Sequence, residues 1–203
     1  MKKTLLVCSD IEGTYNALDN RKKIELLRSI EDIKKQLGLD QTVFCFVSSA
    51  SCKEIEEIVN NNLLPILEES KLSTIVGPQF GVDGYIYDGC APKKLTKDSA
   101  KGTQMAGLIN SFSTIIPDSQ VSDFIYIDDY PNVNPILFLM HIDKSNSDLK
   151  DVTFLVKRND FNQFIDNGSY NFNINIIENR STDFAVTGIE EINNKVNEIK
   201  KTR

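Results

Sequence analysis

The stretch LLVCSDIEGTYNALD, residues 5–19, joins a short apolar run to two acidic residues that are separated by one position. The run Thr4–Ser9 has the continuous apolar pattern of a strand that is buried on both faces of a parallel sheet. Asp10 and Glu12 follow it at once, so negative charge is placed where the chain turns. Like charges this close raise each other's pKa or require a cation. The pair is therefore either a polar strand end or one half of a site.

Similar apolar runs alternate with amphipathic helical stretches along the rest of the chain. Strand-like runs lie at 42–47, 123–128 and 152–157, and helical spacing of apolar residues occurs at 20–37, 52–70, 101–112 and 189–201. The helix over 52–70 is expected to break at Pro65, and the Asn-rich stretch 161–179 has no clear pattern. This alternation predicts an α/β fold, with a doubly wound, Rossmann-like parallel sheet in three layers. We expect one domain over residues 1–203, with at most a minimal insertion within 73–100.

Composition and charge exclude several classes of function. The 203 residues are 40% hydrophobic and 26% charged, with a formal net charge of -6. This balance argues against non-specific binding to nucleic acid or to anionic lipid. The apolar run after the N-terminal MKK is too short for the core of a signal sequence, and no stretch approaches the roughly 20 apolar residues of a membrane span. We therefore expect a soluble, cytoplasmic protein without a membrane partner.

The number and spacing of the cysteines and histidine argue against several kinds of catalytic and metal site. The four cysteines, Cys8, Cys45, Cys52 and Cys90, form no CxxC pair. This spacing predicts reduced thiols rather than a zinc or redox site. The single histidine, His141, lies in an apolar stretch that predicts a structural role. A Ser-His-Asp triad or a multi-histidine zinc site is therefore not expected.

The predicted sheet brings distant acids to one place. Ligands of doubly wound sheets bind beyond the carboxyl ends of the strands, near the point where strand order reverses. Asp10, Ser48 and Asp128 each follow an apolar strand, so we expect them to gather along one edge. A hard cation with oxygen ligands, such as Mg²⁺, would neutralise the carboxylates. Lys101, at the start of a predicted helix, adds a cation beside N–H groups that can face an anion. Such a set suits phosphoryl transfer, with a carboxylate as nucleophile.

These residues resemble the haloacid dehalogenase-like (HAD) phosphohydrolases. Four short motifs occur in the order of that family: DIEGT at 10–14, Ser48 in VFCFVSS, Lys101 in AKGTQMAGLINSF, and Asp128-Asp129 in FIYIDDYPNVNP. The resemblance spans about residues 4–157. It implies a HAD-like fold and a Mg²⁺-dependent phosphatase that acts through an aspartyl-phosphate intermediate.

The resemblance also implies a role for each matched residue. Asp10 would attack phosphorus, and Glu12 would protonate the leaving oxygen and later activate water. Ser48 and Lys101 would hold the phosphoryl oxygens. The metal ion would be bound by Asp10, by Glu12 through its backbone carbonyl, and by Asp128. The supporting positions are Thr14, Ser49, Asp129 and Asn132.

Glu12 departs from the aspartate that most phosphatases of this family have. Glutamate is one methylene longer, so its carboxyl group would overshoot unless the backbone shifts or the side chain folds back. The DIEGT motif resembles the enolase-phosphatase branch, which has glutamate here, but no further match supports the substrate of that branch. A misplaced Glu12 would forfeit part of the ~10²–10⁴-fold benefit of general acid–base catalysis.

Motif spacing leaves little room for a cap domain. One helix and one strand fill the interval between Asp10 and Ser48, and a helix with a glycine-interrupted strand fills Ser49 to Lys101. By resemblance, an open site suits a macromolecular phosphoester, or a phosphorylated small molecule that oligomerisation encloses.

Other interpretations of the same residues remain open. A catalytically degenerate relative would bind a phosphorylated ligand or a partner protein without turnover. A receiver-type phospho-switch also gathers acids, a hydroxyl and a lysine, but its acidic pair lies on the first strand and its phosphorylated aspartate on the third. Taken singly, the acids are common turn formers, and Lys93, Lys94 or Lys97 could replace Lys101.

Overall fold

A computed structural model describes residues 1–80, 85–87, 92–94, 101–131, 133–159, 161 and 169–201. The strands are Lys2–Ser9 (β1), Gln41–Phe46 (β2), Ile75–Val76 (β3), Tyr85–Tyr87 (β4), Pro92–Lys94 (β5), Ser119–Asp128 (β6), Asp151–Val156 (β7) and Asn173–Glu178 (β8). Six of them form an all-parallel sheet in the order β3-β2-β1-β6-β7-β8, while β4 and β5 form an antiparallel pair. The sheet confirms the α/β class predicted from the sequence.

Helices connect the parallel strands. They are Asn20–Leu37 (α1), Cys52–Ile58 (α2), Leu64–Ser70 (α3), Lys101–Asn110 (α4), Phe112–Ile115 (α5), Asn134–His141 (α6) and Phe184–Lys201 (α7). The residues at the two ends of α1 explain where this helix begins and ends. Asp19 accepts a hydrogen bond from the Lys22 N–H, and Gly38 adopts the left-handed conformation that ends many helices. Among the described helices, none combines the length and the apolar character that crossing a bilayer requires.

The sheet is covered by helices on both faces, which gives three layers. Successive side chains of a strand point to opposite faces. Leu5 and Val7 therefore join an apolar cluster with α1 and α7, and Leu6 and Cys8 join a second cluster with α4 and α6. This arrangement is consistent with a Rossmann-like fold. Because both faces of β1 are buried, its sequence is a continuous apolar run.

Strand order reverses beside β1. The chain proceeds from β1 outward to β2 and β3, and then crosses to the other side of β1 to form β6, β7 and β8. The carboxyl ends of β1 and β6 consequently lie side by side, with Ser9 in register with Ile127. In open α/β sheets, this is the position where ligands bind.

Two details differ from the sequence-based expectation. Pro65 does not break the helical segment, because the Leu64 N–H bonds to the Val59 carbonyl and widens one turn just before it. The Asn-rich stretch contains β8, an edge strand with a mostly exposed or half-buried pattern. Much of the predicted insertion within 73–100 lies outside the described residues.

The described cysteines are free thiols, as predicted. Cys8 and Cys45 are buried and lie opposite each other on β1 and β2, and Cys52 is partly exposed at the start of α2. Burial raises the pKa of the Cys8 thiol well above its usual range. Cys8 and Cys45 therefore behave as small core residues. His141 is exposed at the end of α6, and its predicted structural role stays a prediction.

Candidate functional site

Two aspartates meet at the strand-order reversal and share one lysine. Asp10 follows β1 and Asp128 ends β6, and the Asp10 N–H donates a hydrogen bond to the Ile127 carbonyl at 2.8 Å. Lys101 Nζ lies 2.8 Å from Asp10 Oδ1 and 3.2 Å from Asp128 Oδ2. The side chains of Asp10, Asp128 and Lys101 are 9%, 1% and 19% exposed. The structure thus brings together three of the residues that the sequence predicted to be neighbours.

Close packing of α4 against α6 fixes the position of Lys101. Lys101 is the first residue of α4, and Gly102 follows it against the backbone of α6. A Cβ atom at Gly102 would overlap the carbonyl oxygen of Asn134. The Gly102 N–H also donates to Asn134 Oδ1 at 3.4 Å. A glycine is needed here because any side chain would push α4, and Lys101 with it, away from the sheet edge.

Asp128 is held by a set of donors that the sequence analysis did not identify. The buried Tyr126 hydroxyl donates to Asp128 Oδ2, and the Tyr130 N–H donates to Asp128 Oδ1 at 2.8 Å. With Lys101 also on Oδ2, that oxygen has two donors and Oδ1 has one, which leaves a lone pair on Oδ1. The sequence contained one indication of this contact: Tyr126 lies two residues before Asp128 on β6, and residues two apart on a strand share a face.

Burial and like charge control protonation in this group. Burial, reinforced by the charge of Asp128, raises the pKa of Asp10 to about 6, although Lys101 opposes the shift. Burial alone would lower the pKa of Lys101, but the charges of Asp128 and Asp10 outweigh it and raise that pKa. At neutral pH Lys101 therefore stays protonated between the two carboxylates, and the group formed by Asp10, Asp128 and Lys101 keeps excess negative charge.

The loop after β1 is clamped to the loop after β6. The Asn16 N–H bonds to the Ile11 carbonyl at 2.9 Å and closes a wide turn. Within that turn Gly13 has a φ of 68°, and a Cβ atom there would overlap the Asp129 carboxylate. The Asp129 N–H donates to Thr14 Oγ1 at 3.1 Å. Gly13 and Thr14 of the DIEGT motif therefore serve to bring the two acidic loops together.

Three carboxylates at this edge could hold a metal ion. Asp10, Asp128 and Asp129 each offer an oxygen, and these oxygens lie within 4.8 Å of one another. Burial, together with the charge of Asp128, also raises the pKa of Asp129. An oxygen-only set of few carboxylates fits Mg²⁺, whose opposed ligands are about 4.2 Å apart at ~2.1 Å per bond. The three aspartates include the predicted ligands Asp10 and Asp128 and add Asp129, while the identity of the cation and the ligand role of the Glu12 carbonyl stay predictions.

Glu12 and Ser48 lie at one side of this group. Glu12 is exposed and Ser48 is buried, and both line a cavity of about 390 Å³. Ser48 Oγ accepts a hydrogen bond from the Ala50 N–H at 3.1 Å, whereas Ser49 is exposed. In the described part of the chain, neither Glu12 nor Ser48 forms a hydrogen bond with Asp10. Asn132 and the side chains of the alternative lysines at 93, 94 and 97 lie outside the described residues.

No protein-family model, no curated protein and no solved structure matches the chain.

Proposed function

We propose that the protein hydrolyses phosphomonoesters, with Mg²⁺ as cofactor and Asp10 as nucleophile, in the manner of the HAD-like phosphatases that its motifs resemble. The observation that best supports this function is the shared lysine, because Lys101 lies within 3.2 Å of both Asp10 and Asp128. A buried carboxylate thus stands beside a cation able to hold a phosphoryl oxygen, at the sheet edge where doubly wound folds bind ligands.

The proposed reaction has two steps. An oxygen of Asp10 bonds to phosphorus while the bond from phosphorus to the alcohol oxygen breaks, and Glu12 gives its proton to that oxygen. Water then attacks the phosphorus of the aspartyl-phosphate and returns a proton to Glu12, while the bond from phosphorus to Asp10 breaks. One water is consumed, an alcohol and inorganic phosphate are released, and both acids recover their starting states.

The other residues would neutralise and position charge. Lys101 faces the negative oxygens of the phosphoryl group, and the Ser48 hydroxyl offers a further donor. Bound Mg²⁺ would supply Lewis-acid stabilisation of the charge on phosphorus-bound oxygens, held by Asp10, Asp128 and Asp129. Because Asp10 and Asp128 are buried, these electrostatic contacts act in a medium of low dielectric, where they are stronger than in water.

Hydrolysis of phenyl phosphate in Mg²⁺ and in EDTA tests the proposal. We expect phosphate release in Mg²⁺, loss of release in EDTA, and recovery when Mg²⁺ is added back. Equal release in EDTA would rule out the metal. If no phosphate forms but inorganic phosphate binds in a Mg²⁺-dependent way by titration calorimetry, the protein is a phosphate-binding relative without turnover.

Replacing Glu12 separates proton transfer from binding. Glu12→Gln cannot donate a proton, so kcat should fall by about 10²–10⁴-fold with a poor leaving group such as an alkyl alcohol. The loss should be smaller with 4-nitrophenyl phosphate, whose leaving group needs no proton. The matched control is Glu57→Gln, which lines the same cavity and should keep its activity. An equal loss for both substrates would assign Glu12 to another role.

A further inference from the structure

The two flanks of the acidic site differ in charge. On one side, the cavity that contains Glu12 and Ser48 is also lined by Glu54 and Glu57, with no lysine or arginine in its described lining. On the other side, a cavity of about 690 Å³ is lined by Lys157, Arg158 and Arg180, together with Asp129, Tyr130, Asn159 and Glu178. We call these three cations the basic shelf.

The basic shelf is built into the same sheet edge as the acidic site. Lys157 and Arg158 directly follow β7, and Arg180 lies two residues beyond β8. Since β6, β7 and β8 are consecutive parallel neighbours, their carboxyl ends continue the edge that begins at Asp128. Asp129 lines the shelf cavity, and the charge of Lys157 acts on the Asp129 carboxylate. The shelf and the acidic site are therefore contiguous.

Two of the shelf cations contact neighbouring side chains. The Arg158 guanidinium lies 5.8 Å from the ring centroid of Tyr130, a residue that is 57% exposed. Arg180 Nε donates to Glu178 Oε1 at 2.6 Å, a contact that uses one of its five N–H donors. The Arg180 side chain is 82% exposed, and guanidinium groups bind carboxylate or phosphate oxygens through paired N–H donors.

We propose that the site accepts phosphomonoesters that carry a second anionic group, and that the basic shelf binds this group while the phosphoryl group is bound beside Asp10 and Lys101. This inference rests on the proposed phosphatase function. The charge distribution supports one direction of binding only. A second anion next to Glu54 and Glu57 would meet like charge. On the opposite flank it meets three cations and two carboxylates, Asp129 and Glu178, so that lining keeps an excess of one positive charge in a protein whose net charge is -6.

A matched set of aryl phosphates tests the shelf. Phenyl phosphate, 4-carboxyphenyl phosphate and 4-(aminomethyl)phenyl phosphate share one reacting group and carry a neutral, a negative and a positive para position; comparison of each ester between wild type and variant removes the effect of leaving-group acidity. At low salt we expect kcat/KM to be highest for the carboxylate and lowest for the amine. Each engaged cation should contribute roughly two- to fivefold, the range for exposed charge pairs.

Variants assign the effect to named residues. Lys157→Gln combined with Arg180→Gln should remove most of the preference for the carboxylate, measured as the ratio of kcat/KM for 4-carboxyphenyl phosphate to that for phenyl phosphate, in which any effect common to both esters cancels. The control is Lys195→Gln, which removes a cation from α7 outside the shelf and should preserve the preference. If the carboxylate shows no advantage in the wild type, or if the double variant retains it, the inference is overturned.

Binding of non-hydrolysable probes separates the two proposals. Phenylphosphonate and 4-carboxyphenylphosphonate are titrated into wild type and the double variant by calorimetry. Tighter binding of the carboxylate that is lost in the variant supports the shelf, even when neither ester is hydrolysed, and the failure then belongs to the phosphatase proposal alone. Turnover of phenyl phosphate without any charge preference contradicts the shelf and leaves the phosphatase proposal standing. The shelf inference is also overturned if both phosphonates bind equally well or if neither binds.

Discussion

Asp10→Asn is expected to abolish phosphate release and, in metal-free protein, to raise the free energy of unfolding at pH 8. The activity is lost because an amide cannot form the aspartyl-phosphate; loss of a nucleophile that works with its partners costs roughly 10³-fold or more. Stability rises because the wild-type carboxyl group is buried beside Asp128, with its pKa raised to about 6. A pKa that rises from 3.8 to about 6 corresponds to a cost of roughly 3 kcal/mol for the ionised form.

The sign of the pH dependence follows from that shift. Between about pH 4, where the group ionises in the unfolded chain, and about pH 6, where it ionises in the folded one, the folded state binds the extra proton. Wild-type stability from this group therefore falls as pH rises through that window. The advantage of Asp10→Asn in EDTA should be near its maximum above pH 7 and small below pH 4.

Urea unfolding at several pH values, with phosphate release on the same samples, measures both effects. The matched control is Asp32→Asn, which removes an exposed carboxylate and should change neither quantity measurably. In the wild type, borohydride reduction during turnover should convert residue 10 to homoserine, as detected by mass spectrometry. An Asp10→Asn protein that hydrolyses phenyl phosphate at the wild-type rate would remove Asp10 from the mechanism.

Lys101→Met is expected to cause the largest loss of stability among the site variants. The substitution leaves Asp10 and Asp128 buried with no cation between them, and breaking a buried pair costs about 3–5 kcal/mol. The loss should be greater at pH 8 than at pH 5, because protonation of Asp10 relieves the repulsion. Mg²⁺ should restore part of the stability, since a divalent cation at the three carboxylates replaces the missing charge.

Thermal unfolding in EDTA and in Mg²⁺ provides the measurement. Lys35→Met is the control, because it removes an exposed lysine from a surface ion pair with Asp32. The double variant Asp10→Asn/Lys101→Met adds a further test. If the lysine stabilises mainly by opposing the two carboxylates, the double variant should be more stable than Lys101→Met alone. A destabilisation that is independent of pH and unaffected by Mg²⁺ would mean that Lys101 acts through packing instead.

The sequence predicted those parts of the fold and site that depend on burial and on chain order. β1 and β6 were recognisable because strands buried on two faces are continuously apolar. Once a parallel sheet was predicted, Asp10 and Asp128 had to share an edge. The edge strand β8 was missed because it lacks this continuous apolar pattern. It has a neighbour on one side only, its side chains are largely exposed or half-buried, and no apolar run marks it.

Contacts between elements could not be predicted in this way. The close approach of Gly102 to the α6 backbone and the packing of Gly13 against Asp129 depend on how helices and loops approach each other. The hydrogen bond from Tyr126 to Asp128 could have been proposed from their spacing, but only after the direction of Asp128 was known. The predicted roles of Glu12 and Ser48 remain predictions, because their contacts with Asp10 would form only around a bound phosphoryl group.

The position of β1 between β2 and β6 has a consequence for synthesis of the chain. β1 emerges from the ribosome first, and its neighbour β6 is completed only with Asp128. Until then one side of an apolar central strand has unpaired backbone groups, the kind of edge that promotes aggregation. The nascent chain also holds Asp10 without Lys101 or Asp128. Pairing of β1 with β6 and assembly of the acidic group therefore both wait for residue 128, so a chain interrupted before β6 has neither a complete sheet nor a site.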